Sequence, residues 1–185
     1  ILRCLVGSEM CIRDRLKACE DSYDGRGNYL IRSENEISKA ITYFSGRQCM
    51  VEKFVNFKKE ISIMVARNSS GTITYFPVAE NIHEDHILKT SIIPARISKE
   101  TETKAIDLAI MTMKSLKGSG IFGIEMFVDE DDNVLINEIA PRPHNSGHYS
   151  IEACSISQFE QHIRAVLDLS LIHIRRCRRL VECRT

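Results

Sequence analysis

Apolar residues recur every three to four positions in three stretches of the chain, which predicts three amphipathic helices. The first is expected over about 34–45, the second over about 99–117, and the third from Ser157 onward. Ser33 and Ser157 each open an S-x-x-E capping box, the sequence signature of a helix N-terminus. The apolar side of the third helix carries Phe159, Ile163, Val166 and Leu167. The predicted ends of the first two helices are Gly46 and Gly118.

Five shorter stretches are rich in apolar and β-branched residues and predict β-strands. They lie at residues 49–55, 60–67, 72–79, 121–128 and 134–139. The turn Asn68-Ser-Ser-Gly71 separates the second stretch from the third, and it favours a hairpin with antiparallel pairing. The sequence therefore predicts an α+β fold in which antiparallel sheets carry flanking helices.

Composition narrows the class of protein. The 185 residues are 43% apolar and 27% charged, which is typical of globular proteins, and no uncharged apolar run could span a bilayer. The 25 basic and 25 acidic residues balance, which argues against a dedicated nucleic-acid binder. Seven cysteines without a C-x-x-C pair indicate reduced thiols, and we expect a cytoplasmic protein without membrane contact.

The two ends differ from the middle. Glu9 to Arg15 can be encoded by GAGATGTGTATAAGAGACAG plus one base, and Leu169 to Ile174 by the reverse complement of most of that string. We therefore expect residues 1–15 and 169–185 to derive from a transposon-end sequencing adaptor. The alternative is that the tail's arginine cluster is a nuclear-import or nucleic-acid patch. That cluster comprises Arg175, Arg176, Arg178 and Arg179.

Removing the flanks changes the charge of what remains. They hold eight of the 25 basic residues and three of the 25 acidic ones, which leaves 17 basic and 22 acidic residues in the interior. The interior is thus acidic, with a net charge of −5. This excludes nucleic-acid binding more firmly than the balanced total does.

An acidic turn between the last two predicted strands is the most informative segment. Pairing Val128 with Leu135 would set Glu125 directly opposite Glu138, with side-chain roots about 5 Å apart. Like charges so arranged are destabilising, which indicates a cation between them. Carboxylates with no His or Cys nearby suit Mg²⁺. The alternative is a solvated hairpin, since a slip of one residue would undo this register.

The same register leaves the opposite face of the hairpin apolar. That face would comprise Ile124, Met126, Val128, Leu135 and Ile139. Asn137 breaks the apolar pattern, and the pattern alone gives it no role.

A second candidate site combines Lys17 with the segment Tyr23-Asp-Gly-Arg-Gly-Asn28. Its glycines let backbone N–H groups approach an anion closely, and Arg26 adds a planar donor suited to phosphate or carboxylate. No Gly-Lys-Ser/Thr follows, so it is not a Walker A loop. The segment indicates a phosphate-covering loop, with a plain hairpin turn as the alternative.

The third candidate is the loop Pro141-Arg-Pro-His-Asn-Ser-Gly-His148, which follows a predicted strand and is stiffened by two prolines. Its donors for an anionic oxygen are Arg142, His144, Asn145 and Ser146. A zinc site built on His144 and His148, or on His83 and His86, is a weaker interpretation. Neither pair lies on a predicted helix or has a convincing third ligand.

Several strings together resemble one enzyme family. They are LKA…YDGRGN, VEKFV, KEISI, ENIHEDHIL, GIFGIEMF, LINEIAPRPHNSGHYSIEAC and SQFEQHIRA, and they span about residues 16–168. They resemble the N5-carboxyaminoimidazole ribonucleotide synthases, which are PurK-type ATP-grasp enzymes of purine synthesis. NEIAPRPHNSGH is the most specific string. The matched sequence resembles the eukaryotic form, which is fused to a mutase-type carboxylase, more closely than the bacterial form.

The resemblance implies a partial ATP-grasp fold, with residues 16–50 in the small lobe and residues 51–168 in the large lobe. It implies an enzyme that uses ATP and Mg²⁺, or Mn²⁺ in its place, to activate bicarbonate as carboxyphosphate. The carboxyl group then passes to 5-aminoimidazole ribonucleotide, with ADP and phosphate as the other products. Its partners would be these small molecules, and the full-length protein would form a homodimer.

Carried over residue by residue, the resemblance assigns roles in all three candidate sites. Glu125 and Glu138 would hold the metal. The residues that contact ATP would be Lys17, Tyr23, Asp24, Gly25, Arg26, Gly27, Glu52, Lys53, Phe54, Val55, Glu60, His83, Asn137 and Glu138. The substrate side would be formed by Tyr23, Asp24, Arg26, Arg142, His144, Asn145 and Ser146. The catalytic residues among these would be Arg142, His144 and Asn145.

Within the ATP set the roles differ. Lys17 would contact the phosphates, and the hinge from Glu52 to Val55 would read adenine through its backbone. Glu60 would bind the ribose hydroxyls, with His83 beside the nucleotide.

An intact member of this family has features that this sequence lacks: an N-terminal dinucleotide-fold-like domain, a further ATP-contacting lysine before Lys17, and a C-terminal β-rich domain. We therefore expect no carboxylation by this chain alone. One alternative is another ATP-grasp ligase such as the formate-using glycinamide ribonucleotide transformylase, which resembles P-R-P-H-D-T-G where this chain has His144-Asn-Ser-Gly147. The others are a non-catalytic ATP-binding fragment and an unfolded partial chain.

Overall fold

The protein is described by a computed structural model over residues 15–20, 27–84, 87–171 and 181–184, the last four by their backbone alone. The chain divides into two compact units, Ile1–Val55 and Asn56–Thr185, called unit 1 and unit 2 below. The predicted loop residues Tyr23 to Arg26, and His86, lie outside the described residues. No helix in the described part of the chain is long and apolar enough to cross a membrane.

Unit 1 contains a three-stranded antiparallel sheet in the order β2-β1-β3. Its strands are β1 (Arg15–Ala18), β2 (Asn28–Leu30) and β3 (Cys49–Glu52). A 3-10 turn (Glu34–Glu36) leads into helix α1 (Ile37–Tyr43). The buried core of the unit consists of Leu16, Ala18, Ile31, Ala40 and Phe44.

The start of α1 differs from the prediction. The Ser33 side chain makes no capping hydrogen bond to a described residue, and the Glu36 carboxylate accepts the N–H of Arg32 at 2.7 Å instead of that of Ser33. The predicted capping box is therefore not formed. Gly46 does have a positive φ of 81°, as expected of a residue that ends a helical segment.

Unit 2 is built on a seven-stranded antiparallel sheet in the order β10-β7-β6-β4-β8-β9, with β5 paired to β4. Its strands are β4 (Phe57–Arg67), β5 (Ile73–Tyr75), β6 (Ala79–Glu84), β7 (Ile87–Ile93), β8 (Gly120–Asp129), β9 (Val134–Ala140) and β10 (Val181–Arg184). Its helices are α2 (Lys99–Leu116), α3 (Ser150–Ala153) and α4 (Gln158–Val166). A 3-10 turn, Asn145–Gly147, follows β9.

The α+β fold and the predicted hairpin are confirmed. Asn68 closes the turn between β4 and β5, since its side chain accepts the N–H of Thr72 at 2.7 Å and its carbonyl accepts that of Gly71. The predicted strand over 72–79 covers β5 but only the first residue of β6. Pro77 lies between these two strands and cannot donate to a ladder. The sequence pattern missed most of β6 and all of β1, β2, β7 and β10, which are short or interrupted by polar residues.

Helix α2 covers one face of this sheet, called the helix face below. Ala105, Ala109 and Met113 are fully buried there against alternate residues of β4 and β8. The helix begins at Ser98, whose side chain accepts the N–H of Thr101, and it ends at Lys117 in a left-handed conformation (φ 56°). Gly118 is thus not the helix stop that the sequence predicted.

Gly118 has a packing role instead. A Cβ there would lie 2.5 Å from the Phe122 ring, which only glycine avoids. The two residues bring the end of α2 close to the start of β8.

The opposite face of the sheet, called the site face, carries α4 and a second apolar cluster. That cluster includes Met64, Phe76, Ala79, Ile93, Ile121, Tyr149 and Ile156. Helix α4 begins as predicted, with Ser157 accepting the N–H of Glu160. Its buried side is largely polar, however: Gln158 and Gln161 are fully buried together with Ala165, whereas Phe159, Ile163, Val166 and Leu167 are exposed.

An ion cluster around the buried carboxylate of Glu80 stabilises the helix face. Glu80 is 6% exposed, and it pairs with Arg96 (Nη2 to Oε1, 2.7 Å) and Lys59 (Nζ to Oε2, 3.0 Å). It also accepts the backbone N–H of Arg96. Burial alone would raise the pKa of Glu80, but these hydrogen bonds and charges lower it to about 2. The cluster ties the loop after β7 to strands β4 and β6.

This ion cluster makes a testable contribution to stability. Because the folded pKa of Glu80 is depressed, its contribution is present above the ordinary value of 4.5 and is lost as the pH falls towards about 2. Glu80→Gln should lower the free energy of unfolding by about 3 kcal/mol at pH 7. The gap to wild type should close in acid, as measured by urea unfolding. Glu100→Gln, at an exposed position of α2, is the control. An equal loss of unfolding free energy in both variants would contradict the stabilising role of Glu80.

Candidate functional site

The hairpin of β8 and β9 sets two carboxylates against each other. Glu125 pairs directly with Glu138, as the sequence predicted. The predicted register also holds for Ile124 with Ile139, but it is wrong towards the turn, where Val128 pairs with Val134 and not with Leu135. The register shifts by one residue between Glu125 and Met126, where β9 contains one residue more than β8.

The extra residue of β9 is Asn137, which forms a β-bulge and has no directly paired residue on β8. This accounts for its break in the apolar pattern. The bulge also moves Leu135 to the site face opposite Phe127, where it is 41% exposed, and Val134 packs against the core in its place. The predicted apolar face was therefore wrong at Leu135.

His144 lies next to this carboxylate pair. Its Nε2 is 3.7 Å from Oε1 of Glu125, and its Nδ1 is 2.9 Å from the Ser146 hydroxyl. Burial, followed by the charges of Arg142 and the two neighbouring histidines, lowers the pKa of His144 to about 4. The imidazole is therefore neutral at physiological pH, and because Nδ1 accepts the Ser146 backbone N–H, Nε2 carries the ring proton and can donate a hydrogen bond.

Two further predicted residues meet on the same face. Glu60 on β4 forms an ion pair with Nδ1 of His83 on β6. The hydrogen bond that His83 donates to this carboxylate raises the pKa of His83 despite burial, and the charge of Glu125 adds to the shift. The two histidines of the site thus have pKa values shifted in opposite directions.

A buried hydrogen-bond chain that the sequence analysis missed crosses the sheet beside these groups. The Ser91 hydroxyl donates to Oδ1 of Asn81 at 3.0 Å, and Nδ2 of Asn81 donates to the Ser62 hydroxyl at 2.9 Å. Ser62 is paired across the ladder with Glu125. The sequence did contain a signal for this chain, namely polar residues at inward positions of otherwise apolar strands, because a buried polar group needs a hydrogen-bond partner.

The predicted site residues in the loop after β9 differ in their exposure to solvent. Arg142 and Asn145 are exposed, whereas Ser146 is buried. Two residues that the sequence analysis missed, Gln158 and Ser150, hydrogen-bond to this loop. The described residues contain no group of three His, Cys, Asp or Glu side chains that could hold a metal ion.

Unit 1 contributes its own predicted residues. Lys17 Nζ lies 2.6 Å from Oε2 of Glu52, which lies diagonally across on β3, where it pairs with Arg15. The guanidinium of Arg15 lies over the Phe54 ring, 5.8 Å from its centroid. Gly27 has a positive φ of 85°, and its carbonyl accepts the N–H of Ala18. Lys53 is exposed and Val55 is partly buried.

The His83 and Glu60 pair predicts a measurable titration. His83 should titrate above its ordinary value of 6.5, and the stability from the pair should be lost as the pH rises through that raised pKa. In Glu60→Gln the pKa of His83 should fall, because burial then dominates. NMR titration of the imidazole checks this, with the exposed Glu152→Gln as control. An unchanged pKa in Glu60→Gln would show that the pair is not formed.

Comparisons with known proteins identify the family of the chain. Residues 6–159 match the model of the ATP-grasp domain family. The chain is 47% identical over 156 residues to N5-carboxyaminoimidazole ribonucleotide synthase of Bacillus subtilis, covering 84% of this chain and 41% of that protein. It is 46% identical over 156 residues to phosphoribosylaminoimidazole carboxylase of Candida glabrata, covering 84% of this chain and 27% of that protein.

Solved structures give the same result. The ADP complex of an N5-carboxyaminoimidazole ribonucleotide synthetase has a TM-score of 0.85 and 45% identity, over 89% of this chain and 44% of that one. The synthase of Aspergillus clavatus with ADP and 5-aminoimidazole ribonucleotide has a TM-score of 0.80 and 37% identity, over 86% of this chain and 42% of that one. The chain spans less than half the length of these relatives.

Proposed function

Because the chain belongs to the ATP-grasp family, we propose that it is the ATP-using region of an N5-carboxyaminoimidazole ribonucleotide synthase. One observation carries the proposal: Glu125 and Glu138 lie opposite each other beside His144, on the sheet face that also bears the pair of Glu60 and His83. The names of similar proteins support the choice of reaction, and the Aspergillus clavatus structure is described with ADP and the aminoimidazole ribonucleotide.

The two opposed glutamates fit a magnesium ion. Adjacent carboxylates on one ladder rung repel each other unless a cation lies between them, and Mg²⁺ is commonly held by one or two carboxylates together with substrate phosphates. Two protein ligands therefore suffice, and a third from the protein is not needed. When bound, Mg²⁺ would neutralise the charge that develops on the transferred phosphoryl group.

The chemistry would need no side-chain nucleophile. A bicarbonate oxygen attacks the γ-phosphorus of ATP and the bond to ADP breaks, which gives carboxyphosphate. The amine nitrogen of the ribonucleotide then attacks the carboxyl carbon, the bond to phosphate breaks, and the amine loses one proton. Positioning of the anions and electrostatic stabilisation would supply most of the rate enhancement.

The loop after β9 offers groups for these steps. The neutral His144 imidazole would donate a hydrogen bond from Nε2 to an anionic oxygen of the substrate, since its Nδ1 accepts the Ser146 N–H. The proton that the amine loses would pass to the released phosphate. The exposed guanidinium of Arg142 would offset negative charge on the carboxyphosphate, and Asn145 and Ser146 would complete this side.

The nucleotide would be held by other residues. On the site face, Glu60 would bind the ribose hydroxyls, with His83 and Asn137 adjoining it. In unit 1, Lys17 would contact phosphate oxygens, and the segment from Glu52 to Val55 would bind adenine. The ion pair of Lys17 with Glu52 supports an ordered ammonium group at that position.

Three further expectations from the sequence stay predictions. They are the cytoplasmic location, the homodimer of the full-length protein, and the use of Mn²⁺ in place of Mg²⁺.

MgATP should stabilise the chain. Ligand at 100 times its Kd raises the free energy of unfolding by about 2.7 kcal/mol, or roughly 5–10 °C in Tm for a domain of this size. Glu125→Gln with Glu138→Gln should remove the Mg²⁺-dependent part of this shift. Glu130→Gln with Glu152→Gln, both exposed, is the matched control. Survival of the shift in the first double variant would show that the metal is held elsewhere.

Turnover is best tested in a chimera, because the chain covers 41% of its Bacillus subtilis relative. Residues 16–168 replace the matching segment of that enzyme. We expect ATP hydrolysis that requires both bicarbonate and 5-aminoimidazole ribonucleotide, and its loss in the double glutamate variant. Hydrolysis that requires formate and glycinamide ribonucleotide would instead identify a transformylase. A folded chimera without turnover would overturn the proposed function.

A further inference from the structure

The loop that carries His144 has little regular structure of its own to fix its position. Residue 144 has an extended backbone (φ −129°, ψ 152°) between Pro143 and a 3-10 turn. An extended residue exposes one N–H and one C=O, which a neighbouring strand normally satisfies. At His144 a side chain of α4 takes the place of that strand.

The side chain is that of Gln158. Its Oε1 accepts the backbone N–H of His144 at 2.9 Å, and its Nε2 donates to the backbone C=O of His144, also at 2.9 Å. A primary amide is the neutral side-chain group that offers one donor and one acceptor in this spacing. Gln158 is fully buried, so water does not compete for either bond.

Gln158 is itself fixed at both ends. It is the first residue of α4, directly after the Ser157 cap, and its backbone N–H donates to the Ser150 hydroxyl at 2.9 Å. That hydroxyl in turn donates to the carbonyl of Gly147 at 2.6 Å. The start of α4, the start of α3 and the loop therefore form one hydrogen-bonded unit.

The packing around Gln158 and His144 leaves no room for a side chain at either of two glycines. A Cβ at Gly147 would lie 2.6 Å from Oε1 of Gln158 and 2.8 Å from Cγ of Met64. A Cβ at Gly123 would lie 2.7 Å from Cβ of His144. The loop is thus pressed onto β8 from one side and held by Gln158 from the other.

We propose that Gln158 is a positioning residue, which clamps the His144 backbone so that the imidazole stays beside Glu125. Gln158 does not face the reacting groups, and it acts through the loop. The inference rests on the proposed function only for its kinetic consequence, because the clamp itself can be tested in the chain without turnover.

The first test measures amide hydrogen exchange in the 185-residue chain. Gln158→Met keeps the volume of the side chain but removes both hydrogen bonds. The His144 amide should then exchange about tenfold faster, while the amides of β8 keep their protection. Gln161→Met, which removes an equally buried amide one turn along α4, is the matched control. Unchanged exchange at His144 would overturn the clamp.

The second test measures kinetics in the chimera. Gln158→Met should lower kcat by roughly 10²-fold, the effect of a misplaced catalytic group, with the KM for MgATP within about twofold. A loss of kcat no larger than that in Gln161→Met would overturn the positioning role. If the unsubstituted chimera is inactive, the proposed function fails, and the exchange experiment still decides the clamp.

A conservative variant covers the case in which Gln158→Met does not fold. Gln158→Glu keeps the acceptor for the His144 N–H but lacks the donor until its carboxyl group is protonated. Its kcat should lie between those of wild type and Gln158→Met at neutral pH, and should rise relative to wild type as the pH is lowered. A ratio to wild type that does not change with pH would contradict the proposal.

Discussion

The whole candidate site depends on one extra residue in a strand. Without the bulge at Asn137, a regular ladder from Val128 and Val134 onward would pair Glu125 with Asn137 and would direct Glu138 to the helix face. The extra residue changes, in the middle of β9, which residues point to which face of the sheet. Ile136 and Val134 can then share the helix face with Ile139, and Glu138 still meets Glu125 on the site face. Bulges are frequent next to active sites for this reason.

The two faces of the unit 2 sheet carry two kinds of charged cluster. On the helix face, Glu80 is surrounded by Arg96 and Lys59, and this cluster is complete without any ligand. On the site face, Glu125 and Glu138 oppose each other, and the nearby imidazole of His144 is held neutral. A satisfied ion cluster stabilises a fold, whereas like charges held together need a cation. The contrast between the two faces therefore distinguishes structural from functional carboxylates.

Sequence patterns gave the elements of the fold but not the details that depend on tertiary packing. The α2 helix was predicted to within one residue at its C-terminal end, because its cap and its apolar spacing are local signals. The spacing of apolar residues in α4 predicted the wrong buried side, since Gln158 and Gln161 are buried through hydrogen bonding and packing that spacing does not reveal. The opposition of Glu125 and Glu138 was predicted from an incorrect register, and the bulge made the result right. The chain of Ser62, Asn81 and Ser91 joins three strands, so only the assembled sheet reveals it.

The close contacts at Gly123 and Gly147 also have an evolutionary consequence. Each glycine touches the clamp formed by Gln158 and the His144 loop, so the energetic effects of changes at these positions are not independent. A larger residue at either glycine would push the loop outwards and lengthen the bonds from Gln158. A different residue at 158 would in turn remove the reason for such close packing. Among homologous chains, these positions should therefore vary as a coupled set.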